Sequence, residues 1–465
     1  MNVPAVPDRT DNGYTSPILT RPGAVDAADS AIDAGVPFHY GDPLGEQRAA
    51  TSSVIVVDRS HRDVLTIRGG DRLTWLEGFV SQHVSELADG SGGETLILDA
   101  NGRVEHHIVL SDVDGTLVMD TEPGRGPELL QFLTRMVFWA DAAPETADLA
   151  VVTLVGSGLP DSLTAPDGTT VVLPVGDYSS AALPGGGIAR RMPWPLAGSV
   201  DLVVPRPGLT AWFAAAVAAG ARPAGSWAFE ALRVAGTTPL RARLGVDTDA
   251  KTIPHEVPAW IGDVARRGAV HLDKGCYRGQ ETVSRVHNLG KSPRVLVRLH
   301  LDGSAGDELP SAGAEVRSGG RTVGRVGTVA QHHEDGPVAL ALLKRAAASG
   351  APLEVDGITV AVDPDTGVMN TEPDQQFGLA CFDQLCAQRD RPPPSELDCI
   401  AGIVEQRLAQ PGRVPPQPGR HVAAVALDHQ PFGSGRLADQ RRDVVQHVGK
   451  MKVHLFELHP AGLDL

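Results

Sequence analysis

Between Ser52 and Asp365 the hydrophobic period of the sequence switches repeatedly between two and about 3.6, and this alternation limits the folds open to the chain. The β-branched run SSVIVVD (Ser52–Asp58) reads as a buried strand, and VLTIRG (Val64–Gly69) as a second. Asp71 then stands as an N-cap before RLTWLEGFVSQHV, in which Leu73, Leu76, Phe79 and Val80 follow helical spacing. ETLILDANGRVEHHIVLSDVDGTLVMDT reads as a meander. Its Asn101-Gly102 pair predicts a type I′ turn, which needs positive φ at both central residues. GPELLQFLTRMVFWA is an amphipathic helix, and VVTLVG, TVVLPV and SVDLVV are further strands. LTAWFAAAVAAG is an Ala-rich helix stopped by Gly220, and SWAFEALRVAG runs from Ser226 as N-cap to Gly236 just past its end. Strands and helices mixed in this order predict an α+β fold, not a doubly wound sheet.

From Ser292 to Asp365 the texture changes to short strands with Gly-rich turns, RVLVRLHL, AEVRSGGRTVGRVGTVAQ and ITVAVD, which predict a small β-barrel. VALALLKRAAA is expected to add about one helical turn, and HHEDG (His332–Gly336) a loop. Residues 1–50, rich in Pro, Gly, Ala and Asp, read as a flexible leader with one ordered stretch near VPFHYG. Residues 366–465 carry the Pro-rich RDRPPPSE and PGRVPPQPGRH and read as a disordered or atypical extension, with SELDCIAGIVEQRLAQ as a helix candidate. Cys381, Cys386, Cys399, His421 and His429 lie there at spacings poor for a metal site.

A formal net charge of -16 excludes nucleic-acid binding by bulk electrostatics and leaves only a local basic patch for such a role. No apolar run approaches the length of a membrane span. The first residues, MNVPAVPDRTDNGYTSP, lack the basic and apolar regions of a secretory signal. Four cysteines in 465 residues do not make a disulfide framework, so a reduced, cytoplasmic setting is expected. Phosphate-loop, H-E-x-x-H and G-x-S-x-G motifs are absent, and GSGLP after VVTLV lacks the third glycine of a dinucleotide turn.

The densest chemistry is DKGCYRGQE (Asp273–Glu281): a thiol, two cations, a phenol, an amide and a carboxylate, punctuated by Gly275 and Gly279. The ETVSRV that follows predicts a helix, which puts Lys274 and Gly275 in its approach loop and Gln280 and Glu281 in its first turn. A thiol at Cys276, beside Lys274, Arg278 and a helix start, sits where thiolate is favoured, and the charged neighbours argue against a buried core cysteine. No second Cys or His lies at metal-motif spacing, so no metal is expected. Of His106 and His107, successive strand residues, at most one faces a given cavity.

Lys274-Gly275-Cys276-Tyr277-Arg278-Gly279-Gln280-Glu281 resembles the K-G-C-Y-x-G-Q-E signature of the YgfZ family, folate-binding proteins related to the glycine-cleavage T-protein, an aminomethyltransferase. AFEALRVAGTTPL before it and VSRVHNLGKSPRVLVRL after it agree, and the resemblance covers about Thr51 to Asp365. It implies a two-lobed, T-protein-like folate-binding region over 51–291 and a small C-terminal barrel over 292–365. It implies tetrahydrofolate or a one-carbon-substituted folate as cofactor, and iron–sulfur client enzymes, tRNA-modifying ones among them, as partners. Cys276 becomes the functional thiol, with Lys274, Gly275, Tyr277, Gly279, Gln280 and Glu281 as the binding motif. Arg103, Arg233 and Lys274 are cations for the folate's anionic tail. In the T-protein the segment after the corresponding hairpin carries an acidic residue that assists methylene transfer. Here Gly102–His107 contains no Asp and only Glu105 as a carboxylate, which counts against the alternative of an aminomethyltransferase. A third reading is an interaction module whose Cys276 contacts a cluster-bearing partner.

Overall fold

The computed structural model describes residues 13–27, 33–236, 240–262, 268–303, 309–349 and 352–366. The readings made for 367–465, including SELDCIAGIVEQRLAQ and the Cys381, Cys386, Cys399, His421 and His429 set, lie outside the described residues. The α-helices within the described part are α1 (Pro43–Ser52), α2 (Arg72–Glu77), α3 (Gly126–Arg135), α4 (Leu209–Ala218), α5 (Ser226–Gly236), α6 (Pro258–Ile261) and α7 (Gln280–Leu289).

The predicted strand at Ser52–Asp58 forms over Ile55–Asp58, and its unbroken apolar run has a direct cause. Val54 and Val56 pack with Trp212 and Phe213 of α4, while Ile55 and Val57 pack with Phe229 and Leu232 of α5. A strand covered on both faces needs no polar alternation. It lies in a six-stranded sheet in the order Ser180–Ala182, Ile188–Met192, Ser199–Pro205, Leu149–Val155, Ile55–Asp58, Arg222–Ala224. All neighbours are antiparallel except the last pair. A second, five-stranded antiparallel sheet runs Ser91–Leu98, Val104–Val113, Thr116–Thr121, Asp63–Arg68, Ala143–Thr146. The strands Arg294–Leu301, Gly336–Lys344, Arg321–His332, Glu315–Ser318, Leu353–Val355 and Ile358–Val362 close into a barrel. One apolar cluster joins these parts. Leu96, Leu98 and Val104 of the second sheet meet Ala231 and Val234 of α5, Trp260 of α6, and Leu296, Val338 and Leu340 of the barrel.

Several local expectations are corrected. The Asn101-Gly102 turn is present, but only Gly102 has positive φ (76°), so it is not type I′. The Asp99 carboxylate instead accepts from the backbone N–H groups of Asn101 and Arg103, both at 2.8 Å, and widens the loop. The predicted helix from Arg72 ends at Glu77, because Gly78 caps it and Val80 bridges to Ile97 as extended chain. VALALLK forms a barrel strand, and the expected helical turn is the 3-10 turn Arg345–Ala347 after it. Gly236 closes α5 from inside the helix.

The reading of 1–50 as a flexible leader is also corrected within the described residues. A 3-10 turn (Pro17–Thr20), a two-stranded ribbon (Val25–Asp26 with Pro37–His39) and α1 are formed there. Ile18 is fully buried in the α4 cluster, and Ser16 Oγ donates to Asp58 at 2.5 Å. Low hydrophobicity hid this segment because a few scattered apolar anchors, Ile18, Val36 and Ala50 among them, and polar contacts do the holding. Ile18→Ala is expected to destabilise the fold by about 2–5 kcal/mol in denaturant unfolding, whereas a leader that does not pack predicts no change.

Candidate functional site: a central cavity and a separate cysteine loop

A cavity lies where the two sheets, the N-terminal segment, α5 and the 240–243 segment meet. Its apolar walls are the rings of Trp194, Phe229 and Trp260 with Ala242, and the rest of its wall is polar, mostly arginines and carboxylates.

Glu94 on the strand Ser91–Leu98 faces this space and is almost fully buried. Its carboxylate accepts from Trp194 Nε1 (2.9 Å), from the Tyr178 hydroxyl and from Arg241, and pairs with His107 Nε2 at 3.0 Å. Burial works to raise its pKa, but Arg241, His107 and Tyr178 outweigh it and hold the group well below the usual carboxylate range. Tyr178 reaches Glu94 from a left-handed backbone conformation (φ 60°), which a bulky residue adopts only when its surroundings impose it.

Arg243 donates from Nη1 and Nη2 to Asp33 at 3.0 and 2.9 Å, and from Nε to Glu122 at 3.0 Å. Arg62 bridges Asp120 (2.7 Å) and Glu122 (2.9 Å). Arg59 differs. Its guanidinium lies 4.2 Å from the Phe229 ring centroid and 5.5 Å from that of Trp194, with Asp201 only at 3.6 Å. Burial, with Arg62 nearby, pushes its pKa down to about 10. It is the cation of this wall best placed to gain from an incoming anion.

The sequence-predicted residues divide between two places. Arg233 lines the cavity. Its guanidinium meets Glu230 (2.7 Å), Asp247 (2.9 Å) and Thr328 (2.6 Å), so it orients Glu230. His107 lines the cavity too, while His106 points to the opposite face against Phe132, as strand alternation requires. Arg103 is exposed on the hairpin loop.

Lys274, Gly275, Cys276, Tyr277, Gly279, Gln280 and Glu281 do not line the cavity. Lys274 is buried, and its ammonium donates to the carbonyls of Glu77 (2.9 Å), Val80 (2.7 Å) and Gln82 (3.0 Å) and pairs with Glu77 at 3.1 Å. Burial lowers its pKa, against Glu77. Gln280 Nε2 closes the loop on the Lys274 carbonyl at 3.1 Å, and Tyr277 is core. Gly279 has φ 82°, and a Cβ there would lie 2.6 Å from the Asp99 carbonyl oxygen. A Cβ on Gly102 would lie 2.6 Å from Thr282 Cβ. These two glycines let the loop dock on the 99–103 turn backbone to backbone. Arg278 pairs with Glu105 at 3.0 Å on the surface, which takes Glu105 away from the cavity. Cys276 and Glu281 are exposed, and nothing lies within 4 Å of where a Gly275 Cβ would stand.

Sequence reasoning missed Asp33, Arg59, His61, Arg62, Glu94, Trp194, Arg241, Arg243 and Trp260. One signal was available: Asp58-Arg59-Ser60-His61 is a polar cluster directly after a fully buried strand, where side chains commonly enter a site.

With this geometry in view, the relatives fall into place. Residues 294–366 match the family model described as the CAF17 C-terminal β-barrel domain. The barrel is thus similar to the C-terminal barrel of the CAF17 family. An Arabidopsis thaliana protein named "Putative transferase At1g60990, chloroplastic" is 25% identical over 337 residues, spanning 70% of this chain and 72% of its own. The glycine cleavage system aminomethyltransferase T from Bartonella henselae superposes with a TM-score of 0.61 at 16% identity, over 76% of this chain and 96% of that one. That last likeness is one of fold, and it establishes a T-protein-like core followed by the family barrel. No helix among the described residues is long and apolar enough to cross a membrane, and no described cluster of three or more His, Cys, Asp or Glu is arranged to hold a metal.

Two tests follow from these placements. Lys274→Met leaves three carbonyls and Glu77 without their cation and is expected to cost about 2–4 kcal/mol in denaturant unfolding. Equal stability in that variant removes the anchoring role. His106 is held neutral: burial, with Arg125 nearby, pushes its pKa down from 6.5 to about 4. The unfolded chain therefore binds the proton first, and stability falls as pH drops through that window, by on the order of 3 kcal/mol. His106→Phe should flatten the stability profile there by that amount, measured by urea unfolding at stepped pH.

Proposed function

We propose that this chain binds a reduced folate, tetrahydrofolate or a one-carbon-substituted form, in the central cavity. We propose further that it supports the assembly or maintenance of iron–sulfur enzymes, tRNA-modifying ones included, through Cys276. The observation that carries the folate reading is the pairing of aromatic walls with fixed carboxylates and a loosely paired arginine inside a T-protein-like fold. A pterin is flat, presents N–H groups and ends in an anionic tail. Trp194, Phe229 and Trp260 supply faces for it, Glu94 and Glu230 supply acceptors, and Arg59 supplies charge for the tail. Two buried polar atoms of the wall, His61 Nδ1 and Ser226 Oγ, have no protein partner, which fits a site built for a polar guest.

The thiol reading rests on different ground. Cys276 is exposed at the tip of a loop held rigid by Lys274 and by the Gly102–Gly279 contact. That suits contact with a client protein in a reducing compartment, which the cysteine usage of the chain favours as cytoplasmic. Aminomethyl transfer is the weaker alternative. Within Gly102–His107 the one carboxylate, Glu105, is spent on Arg278 at the surface.

The two halves of the proposal separate in one experiment set. Calorimetry with tetrahydrofolate should give micromolar or tighter binding, and saturating ligand should raise Tm. Glu94→Gln should weaken binding about tenfold or more. Cys276→Ser should leave folate affinity and Tm unchanged while abolishing support of iron–sulfur enzymes in a complementation assay. A silent calorimeter together with an unmoved Tm removes the folate reading. A fully active Ser variant removes the thiol.

A further inference from the structure

His61 lies in the turn between the strands Ile55–Asp58 and Asp63–Arg68 and lines the central cavity with its side chain only 7% exposed. Its Nε2 lies 2.9 Å from Oδ1 of Asp33, while its Nδ1 is buried without a hydrogen-bond partner. Asp33 comes from the N-terminal segment and is itself gripped by Arg243 through two hydrogen bonds of 2.9 and 3.0 Å. Burial acts to raise the Asp33 pKa, but Arg243 and His61 overcome it and keep the carboxyl ionised. An ionised carboxylate only accepts, so Nε2 must carry a hydrogen. In the neutral ring Nδ1 is then a bare lone pair at the cavity wall. A buried acceptor without a partner is costly, and a site that keeps one is built for a hydrogen brought in from outside.

We infer that His61 Nδ1 accepts a hydrogen bond from an N–H of the ligand in the cavity, and that Asp33 is the positioning residue that fixes the ring's tautomer. The ligand class is one with a ring or amine N–H, such as the reduced pyrazine ring of a tetrahydrofolate, so the inference rests on the folate reading above. The same contact permits proton transfer. From a protonated ligand nitrogen, its N–H bond breaks, Nδ1–H forms, the electron pair stays on the ligand nitrogen, which becomes neutral, and Asp33 stabilises the imidazolium. The N-terminal segment is in this way part of the binding site.

The test uses the full chain labelled with ¹⁵N at its histidines, with tetrahydrofolate as probe. In the free protein the His61 resonances should show a protonated Nε2 and a bare Nδ1. Tetrahydrofolate should move the Nδ1 resonance. His61→Phe should lose affinity about tenfold or more by calorimetry with Tm little changed. Asp33→Asn, whose amide can donate to Nε2, should shift the ring proton to Nδ1 and lose comparable affinity although His61 is still present. The wild-type resonances decide the tautomer independently of how well the Asn variant folds. A free protein with Nδ1 protonated overturns the inference. Binding that leaves Nδ1 unmoved and persists in His61→Phe also overturns it and leaves the folate reading standing. No heat together with an unmoved Tm for the wild-type chain overturns both.

Discussion

Arg243 ties three parts of the chain to one point. Its guanidinium meets Asp33 of the N-terminal segment, Glu122 just after a strand of the five-stranded sheet, and, at 3.5 Å, Glu230 of α5. Around it Arg62, Arg233 and Arg241 pair with Asp120, Glu122, Glu230, Asp247 and Glu94. A buried charge stripped of its partner costs about 3–5 kcal/mol, so each ionised group fixes the distance between the elements that carry its partners. Apolar packing alone tolerates sliding of sheet against helix. Directional ion pairs do not, and here they hold open a cavity whose wall is polar and whose faces are aromatic.

The same logic explains why the densest motif of the sequence stands apart from that cavity. Lys274 spends its ammonium on three carbonyls at the end of α2, Gln280 on the loop's own backbone, and the glycines on close approach to the 99–103 turn. Most of DKGCYRGQE therefore holds its own loop against the frame, with Cys276 exposed on it. The folate reading and the thiol reading are properties of two separate surfaces on one frame.

Much of the frame is visible in the sequence by itself. A run apolar at every position, Val54–Val57, can only be a strand covered on both sides, and the Gly-rich short strands after Ser292 can only close on themselves to hide their edges. The alternation of His106 and His107 assigned them to opposite faces before any tertiary contact was known, because the strand period is two. Local chemistry was likewise enough to mark Asp273–Glu281 as special.

The cavity and the order in the N-terminal segment were decided by the tertiary structure alone. Asp33, His61, Glu94 and Arg243 are far apart along the chain, and each is an unremarked charged or polar residue in its own neighbourhood; what makes them a site is the pairing forced on them by burial. The type of the Asn101-Gly102 turn was settled by Asp99 and by the docking of Gly279, neither of which a propensity can anticipate. Sequence period fixes which way a side chain points within its own element, since that follows from backbone geometry a few residues long. Which charges meet depends on long-range packing, where a carboxylate's partner is chosen by the cost of leaving it alone in a place that water cannot reach.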